Sequence, residues 1–251
     1  MLGKRGNGHL FLGQQIDTQQ PVVVKEYLLP KNIYSEEEAA QHQLAFAHFA
    51  GLERPDERDQ DIRILRPQEA IADVNSRERC YLVTDIRDAN PTLQTKINAD
   101  GALSPFQVRN LLAQIFQTLT ILHQQKVVFP SGQFQRGIIH GNLRLDNLLW
   151  VEDKAGYPFI YLSDFALWED LFPIPPPPTL PSYEATPEDI AQELEALGKI
   201  GYCLLQGEAV LPTITDESPW PTADPWLTSF IKLLLHLAGA PFHSAEEARQ
   251  A

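Results

Sequence analysis

Ile138-Ile-His-Gly-Asn-Leu-Arg-Leu-Asp-Asn-Leu-Leu149, followed closely by Tyr161-Leu-Ser-Asp-Phe-Ala166, is the part of this chain whose reading decides the fold. Two short apolar strands flank Asn142 and Asp164. His140, Asn142, Asn147 and Asp164 are the side chains there that can carry chemistry. Asn147 and Asp164 are a pair of oxygen donors. Asn142 is a carboxamide, able to orient a hydroxyl but without useful basicity.

The two stretches resemble the catalytic loop H-R-D-L-x-x-x-x-N and the D-F-G motif of protein kinases. His140, Asn147 and Asp164 match that pattern, whereas Gly141, Asn142 and Ala166 do not. In that family the loop aspartate takes up the substrate hydroxyl's proton, and the asparagine and the D-F-G aspartate hold magnesium. The resemblance therefore implies Asn147 and Asp164 as metal ligands, with Asn142 at a degenerate base position. Losing a general base typically costs about 10²–10⁴ in rate. Arg144 stands where protein kinases carry a lysine that contacts the transferred phosphate; it keeps the charge, but its forked bulk is not a neutral exchange. Ala166, in place of the D-F-G glycine, narrows the choice of φ and disfavours flipping of the segment.

The resemblance extends towards both ends. Leu2-Gly3-Lys-Arg-Gly6-Asn-Gly8-His-Leu10 is similar to the glycine-rich loop G-x-G-x-x-G-x-V, with Gly3, Gly8 and Leu10 in register and the middle glycine displaced to Gly6. Lys25, in a β-branched run, occupies the place of the strand lysine that pairs with nucleotide phosphates. Its helix partner would be Gln41, a neutral group, or Glu38 one turn earlier. Thr84 and Asp85 fall where the family has the residue guarding the nucleotide pocket and the start of the hinge between lobes. Leu10 or Phe11 is the side chain expected to fill that pocket if nucleotide is excluded. Downstream, Glu193 stands where an aspartate ties down the catalytic-loop backbone. The A-P-E glutamate and the arginine of the last helix, two halves of one salt bridge in the family, are both missing.

Local patterns give the rest of the layout. Gly8–Gly13, Pro21–Tyr27, Ile62–Leu65 and Cys80–Asp85 read as strands. Residues 35–50 read as a helix with Ser35 as N-cap, acidic residues in the first turn, and Leu44, Phe46, Ala47 and Phe49 supplying apolar area. Ser104–Gln124 is a long amphipathic helix with Val108, Leu111, Leu112, Ile115, Leu119 and Leu122 at helical spacing. Further helices are expected over Glu188–Gln206 and Trp226–Leu237. Pro173–Pro181 should be extended polyproline II, a stiff linker or a ligand for an aromatic groove. Phe129–Arg136 reads as an insertion that could offer a partner surface. The expected class is α+β: a two-lobed, protein-kinase-like fold over residues 1–251, with a small β-rich N-lobe (1–85) and a larger, mainly helical C-lobe (86–251).

Composition limits the function. With 20 basic and 33 acidic residues the net charge is −13, which argues against nucleic acid, since phosphate backbones need clustered Lys and Arg. No apolar run is long enough to span a membrane, and no basic-then-apolar leader opens the chain, which argues for the cytoplasm. Cys80 and Cys203 read as reduced core residues. The resemblance, which is to bacterial Ser/Thr kinases, implies a pseudokinase: a regulatory or scaffolding module with a protein partner. ATP and Mg2+ would be bound through Gly3, Gly6, Gly8, Lys25, Thr84, Asp85, Asn147 and Asp164. Two enzyme readings compete with it. One is a weakly active Ser/Thr protein kinase. The other is an aminoglycoside-type small-molecule phosphotransferase, suggested by His140-Gly141, though the segment Leu197–Gly207 favours the protein-kinase branch.

Overall fold

The computed structural model describes residues 1–28, 34–49, 62–65, 67–73, 78–124, 126–128, 134–166, 184–210, 214–215 and 219–251. The first part is an antiparallel sheet of five strands: β1 (Gly3–Arg5), β2 (Gly8–Gln14), β3 (Pro21–Leu28), β4 (Pro67–Ala72) and β5 (Arg79–Asp85), in the order β1-β2-β3-β5-β4. β3 is central because its β-branched run suits a strand paired on both sides. Val23, Lys25 and Tyr27 alternate onto one buried face, and Lys25 lies opposite Leu10 on β2 and Leu82 on β5.

Helix α1 (Glu36–Phe49) opens with a capping box: Ser35 N–H donates to Glu38 Oε2 at 2.8 Å, and Glu38 N–H donates to Ser35 Oγ at 3.2 Å. Phe46 is fully buried, edge-on to Tyr27 at 5.6 Å between ring centroids. Leu44, expected to add apolar area there, is exposed instead.

Two strand expectations change. Ile62–Leu65 forms no strand of the sheet; Ile64 makes an isolated parallel bridge to Leu162. The edge position is taken by β4, whose polar sequence Pro-Gln-Glu-Ala-Ile-Ala carries little strand signal. An edge strand needs only one good pairing side, and β5 supplies it through a register shift between Pro67 and Glu69.

Asp85 ends the sheet and caps a 3₁₀ turn, Ile86–Ala89, which leads into a mainly helical part. That part contains α2 (Leu93–Asp100), α3 (Pro105–Gln124), the hairpin β6 (Lys126–Val128) and β7 (Phe134–Arg136), the pair β8 (Leu148–Glu152) and β9 (Pro158–Leu162), α4 (Pro187–Gln206), α5 (Pro225–Leu234) and α6 (Ala245–Gln250). All six apolar positions expected on α3 are buried, joined by Phe116. Each such side chain stabilises the fold by roughly 1.5–3 kcal/mol. Helix α4 starts at the N-cap Thr186 with Pro187 behind it and stops at Gly207 in the left-handed conformation. The helix expected to reach Leu237 ends at Leu234. Cys80 and Cys203 are free and buried. No helix among the described residues is long and apolar enough to cross a membrane. The polyproline stretch 173–181 and residues 129–133 of the insertion lie outside the described residues.

Candidate functional site

Strand β3 and the β8–β9 pair deliver the central contact. Lys25 Nζ stands 2.7 Å from Asp164 Oδ1, with both side chains buried. Lys25 reaches it by running across the backbone of Gly8, where a Cβ would lie 2.5 Å from the lysine Cε. Gly8 is thus needed for space. Lys25 Nζ also lies over the Tyr27 ring, 5.0 Å from its centroid.

Arg5, at the end of β1, enters the same cluster. Its guanidinium pairs with Asp164 through Nε and Oδ2, and with Asp88 through Nη2 and Oδ1. Asp88 Oδ2 accepts a hydrogen bond from Thr84 Oγ1 at 2.7 Å. The result is one buried chain, Thr84–Asp88–Arg5–Asp164–Lys25, joining the glycine hairpin, the 3₁₀ turn and the end of β9. Burial alone would raise the Asp164 carboxyl; Lys25 and Arg5 outweigh it and hold it below the usual carboxylate range. For Asp88 burial wins and raises the carboxyl, although Arg5 and Thr84 oppose it. Burial would weaken the Arg5 cation, but Asp164 and Asp88 more than offset this and raise its pKa.

The loop from His140 to Asn147 is held by its own polar groups. Glu193 on α4 accepts the Gly141 N–H at 2.6 Å on Oε1 and meets His123 Nε2 at 2.7 Å on Oε2. His140 Nδ1 accepts the Asn142 N–H at 3.2 Å, and its ring stacks on Phe165 at 4.2 Å. Burial pushes the His140 pKa down to about 4, against the pull of Glu193 and Asp164. Asn142 Nδ2 donates to the Asp164 carbonyl at 2.9 Å, and Asn147 Nδ2 to the Asn142 carbonyl at 2.8 Å. Asp164 itself is in the left-handed conformation, with φ of 55°.

Lys25, Thr84, Asn142, Asn147, Asp164 and Gly8 therefore come together, Gly3 and Gly6 line the cleft beside them, and two expected residues stand apart. Arg144 is exposed and pairs with Asp146 at 2.6 Å. Asp85 caps the 3₁₀ turn and pairs with Arg87 at 2.8 Å. Gln41 is exposed on α1 and Glu38 belongs to the capping box, while the buried amide of that helix is Gln43. Leu10 is buried along the cleft and Phe11 is half-buried, but the side chain that enters the polar centre is Arg5. Arg5 and Asp88 were the residues sequence reasoning missed. The available signal was that Arg5 occupies the slot of the middle glycine, counted from Gly3 to Gly8.

Beyond Arg5 a cleft of about 420 Å³ opens between the hairpin and α2, lined in part by Lys4, Leu10, Thr92 and Asp146. Asn147 Oδ1 is buried without a hydrogen-bond partner among the described residues, so it fits a metal ligand. Asp164 does not fit in this arrangement, because each of its carboxylate oxygens faces a cation.

Comparison with known proteins bears on the fold alone. No family model and no curated protein matches the sequence. Among solved structures, the crystal structure of Rad53 1-466 in complex with AMP-PNP matches 98% of this chain, with a TM-score of 0.62 and 18% sequence identity. The fold is protein-kinase-like. The match spans 62% of the Rad53 chain's own length. Within this kinase-like fold, the sheet and the helical part meet along the Lys25–Asp164–Arg5 cluster.

Proposed function

We propose that this chain is a pseudokinase: a catalytically impaired, protein-kinase-like module that regulates or scaffolds a protein partner. The observation that carries this reading is the hydrogen bond from Asn142 Nδ2 to the Asp164 carbonyl. It turns the carboxamide at the base position into a structural donor, and a carboxamide cannot take the substrate's proton. The motif resemblance makes nucleotide the ligand proposed for this cleft. Lys25 would have to release Asp164 to meet its phosphates, the hairpin around Gly3, Gly6 and Gly8 would cover them, and Thr84 would border the base, while Asp85 stays with the 3₁₀ turn that it caps.

A second reading, a weak Ser/Thr protein kinase, draws support from the intact loop tether at Glu193 and from Lys25 beside Asp164. Phosphoryl transfer depends mainly on positioning and electrostatics. A transfer assay with γ-labelled ATP, the purified chain and general protein substrates separates the two. The pseudokinase reading expects no transfer above the enzyme-free blank. Transfer reproducibly above that blank and lost in Lys25→Ala, even at about 10²–10⁴ below usual kinase rates, would overturn it.

A further inference from the structure

Arg5 takes the slot at which a glycine would present backbone alone. It presents a permanently charged, five-donor fork on a long stem. That fork is buried and bridges two carboxylates that are far apart in sequence, Asp88 and Asp164. With Lys25 on the other Asp164 oxygen, two cations face two anions and the cluster is neutral. A divalent metal arriving at Asp164 would meet both cations in a low-dielectric setting, where like charges repel strongly. The other expected ligand is in the opposite condition, since Asn147 Oδ1 is buried and unpartnered among the described residues. Half of a metal site is open, and Arg5 and Lys25 together close the other half.

We propose that Arg5 is an internal counter-cation that keeps divalent metal off Asp164, so that a nucleoside polyphosphate entering this cleft binds without magnesium. The choice of ligand rests on the nucleotide reading given above; the exclusion of metal rests on the geometry of Arg5, Asp88 and Asp164. Arg5 and Lys4 both line the 420 Å³ cleft. A phosphate chain there would meet Lys4 and the edge of the Arg5 guanidinium, whose nitrogens are engaged by Asp164 and Asp88.

The test uses the whole chain and three variants. Arg5→Gly restores the glycine slot. Arg5→Gly with Asp88→Asn also removes the buried carboxylate that the first change would strand. Arg5→Gln keeps a donor for Asp88 without the charge. Mn2+ alone is titrated by electron paramagnetic resonance, and ATP by calorimetry in EDTA and in magnesium.

Wild type should take up no Mn2+ in the millimolar range and should bind ATP equally well in both buffers. The folded variants should gain Mn2+ binding, and their ATP affinity should become magnesium-dependent by about tenfold or more, the usual scale of coupling between linked sites. Mn2+ binding to wild type as tight as to any folded variant overturns the exclusion, whether or not ATP binds. If Mn2+ binds only the variants and ATP binds none of the proteins, the exclusion holds and the nucleotide reading falls.

Discussion

Gly141 and Ala166 compete for one space: a Cβ on Gly141 would stand 2.7 Å from the Cβ of Ala166, and Gly141 has φ of 71°. Each residue is a departure from the kinase motif, and together they are complementary. Where the family has a large residue in the loop it has a glycine after D-F; here the bulk has moved across the contact. The Ala166 N–H donates to the His140 carbonyl at 2.8 Å, which holds the two backbones in place. Gly141→Ala should therefore destabilise the chain by about 3 kcal/mol, from the left-handed backbone and the clash together. Adding Ala166→Gly should return the clash part, a coupling of about 1–2 kcal/mol in a double-mutant cycle read from urea midpoints. Additive effects would show that the contact is not the constraint.

How far the sequence foretold the fold depends on whether a residue's meaning was local. His140, Asn147, Asp164 and Lys25 were legible because they sit in short patterns with fixed spacing. Helix α3 was legible because seven buried apolar positions recur along one face. Helix α2 was not, since Leu93 and Ile97 are its only buried residues. Arg5 and Asp88 were out of reach for a different reason. Their role exists only in a tertiary pairing, Arg5 with Asp164 across 159 residues and with Asp88 across 83. Strand β4 was missed because none of its residues is buried, and Ile62–Leu65 was misjudged because Ile62 and Leu65 are buried without joining the sheet.

Asn142→Asp tests whether the missing base is the only thing missing. The amide donates to the Asp164 carbonyl, and an ionised carboxylate has no proton to give. It would face that carbonyl as a second acceptor, costing about 1–2 kcal/mol. The expected result is a lower melting temperature and no gain in γ-phosphate transfer. A large gain would mean an intact site lacking one base.

Stability should fall with acid through His140. The unfolded imidazole takes its proton near the ordinary value of 6.5, whereas burial holds the folded one down to about 4. A base depressed in the fold contributes fully above the unfolded value and loses that contribution as pH falls towards the folded one. The loss over this interval is on the order of 3 kcal/mol. Asp88 acts in the opposite sense: its raised carboxyl takes up a proton in the fold first, offsetting part of the loss. Asp164, held low by Lys25 and Arg5 against burial, starts to lose its contribution as pH falls through the usual carboxylate range. Denaturation midpoints compared between about pH 7 and about pH 4.5 should drop more in wild type than in His140→Gln. Equal slopes would remove His140 as the cause.

Glu193 should matter through the loop it tethers. Its two oxygens hold the Gly141 N–H and His123 from a buried position on α4. Glu193→Ala strands both partners and should cost about 3 kcal/mol, the scale of two hydrogen bonds to a charged group. Glu193→Gln keeps an acceptor for Gly141 and should cost about 1 kcal/mol. Hydrogen exchange at the Gly141 amide separates local from general effects. Its protection should drop further than that of the α3 amides in the alanine variant; a uniform drop would leave the tether without a specific role.

Gly8 is the last constraint, and it acts on the lysine rather than on the hairpin. A Cβ at Gly8 would lie 2.5 Å from Lys25 Cε and 2.6 Å from its Cγ. The lysine is buried and ends on Asp164, so it has little room to move aside. Gly8→Ala should cost about 1–3 kcal/mol, as overpacking in a filled interior does. In a Lys25→Ala background the obstructing stem is gone, and the same change should be close to neutral. The background variant itself should be destabilised by about 3–5 kcal/mol, because Asp164 loses one of its two cations. Melts of the four proteins close the cycle. If Gly8→Ala costs as much without the lysine as with it, the glycine is serving the β1–β2 turn and not the passage of Lys25 to Asp164.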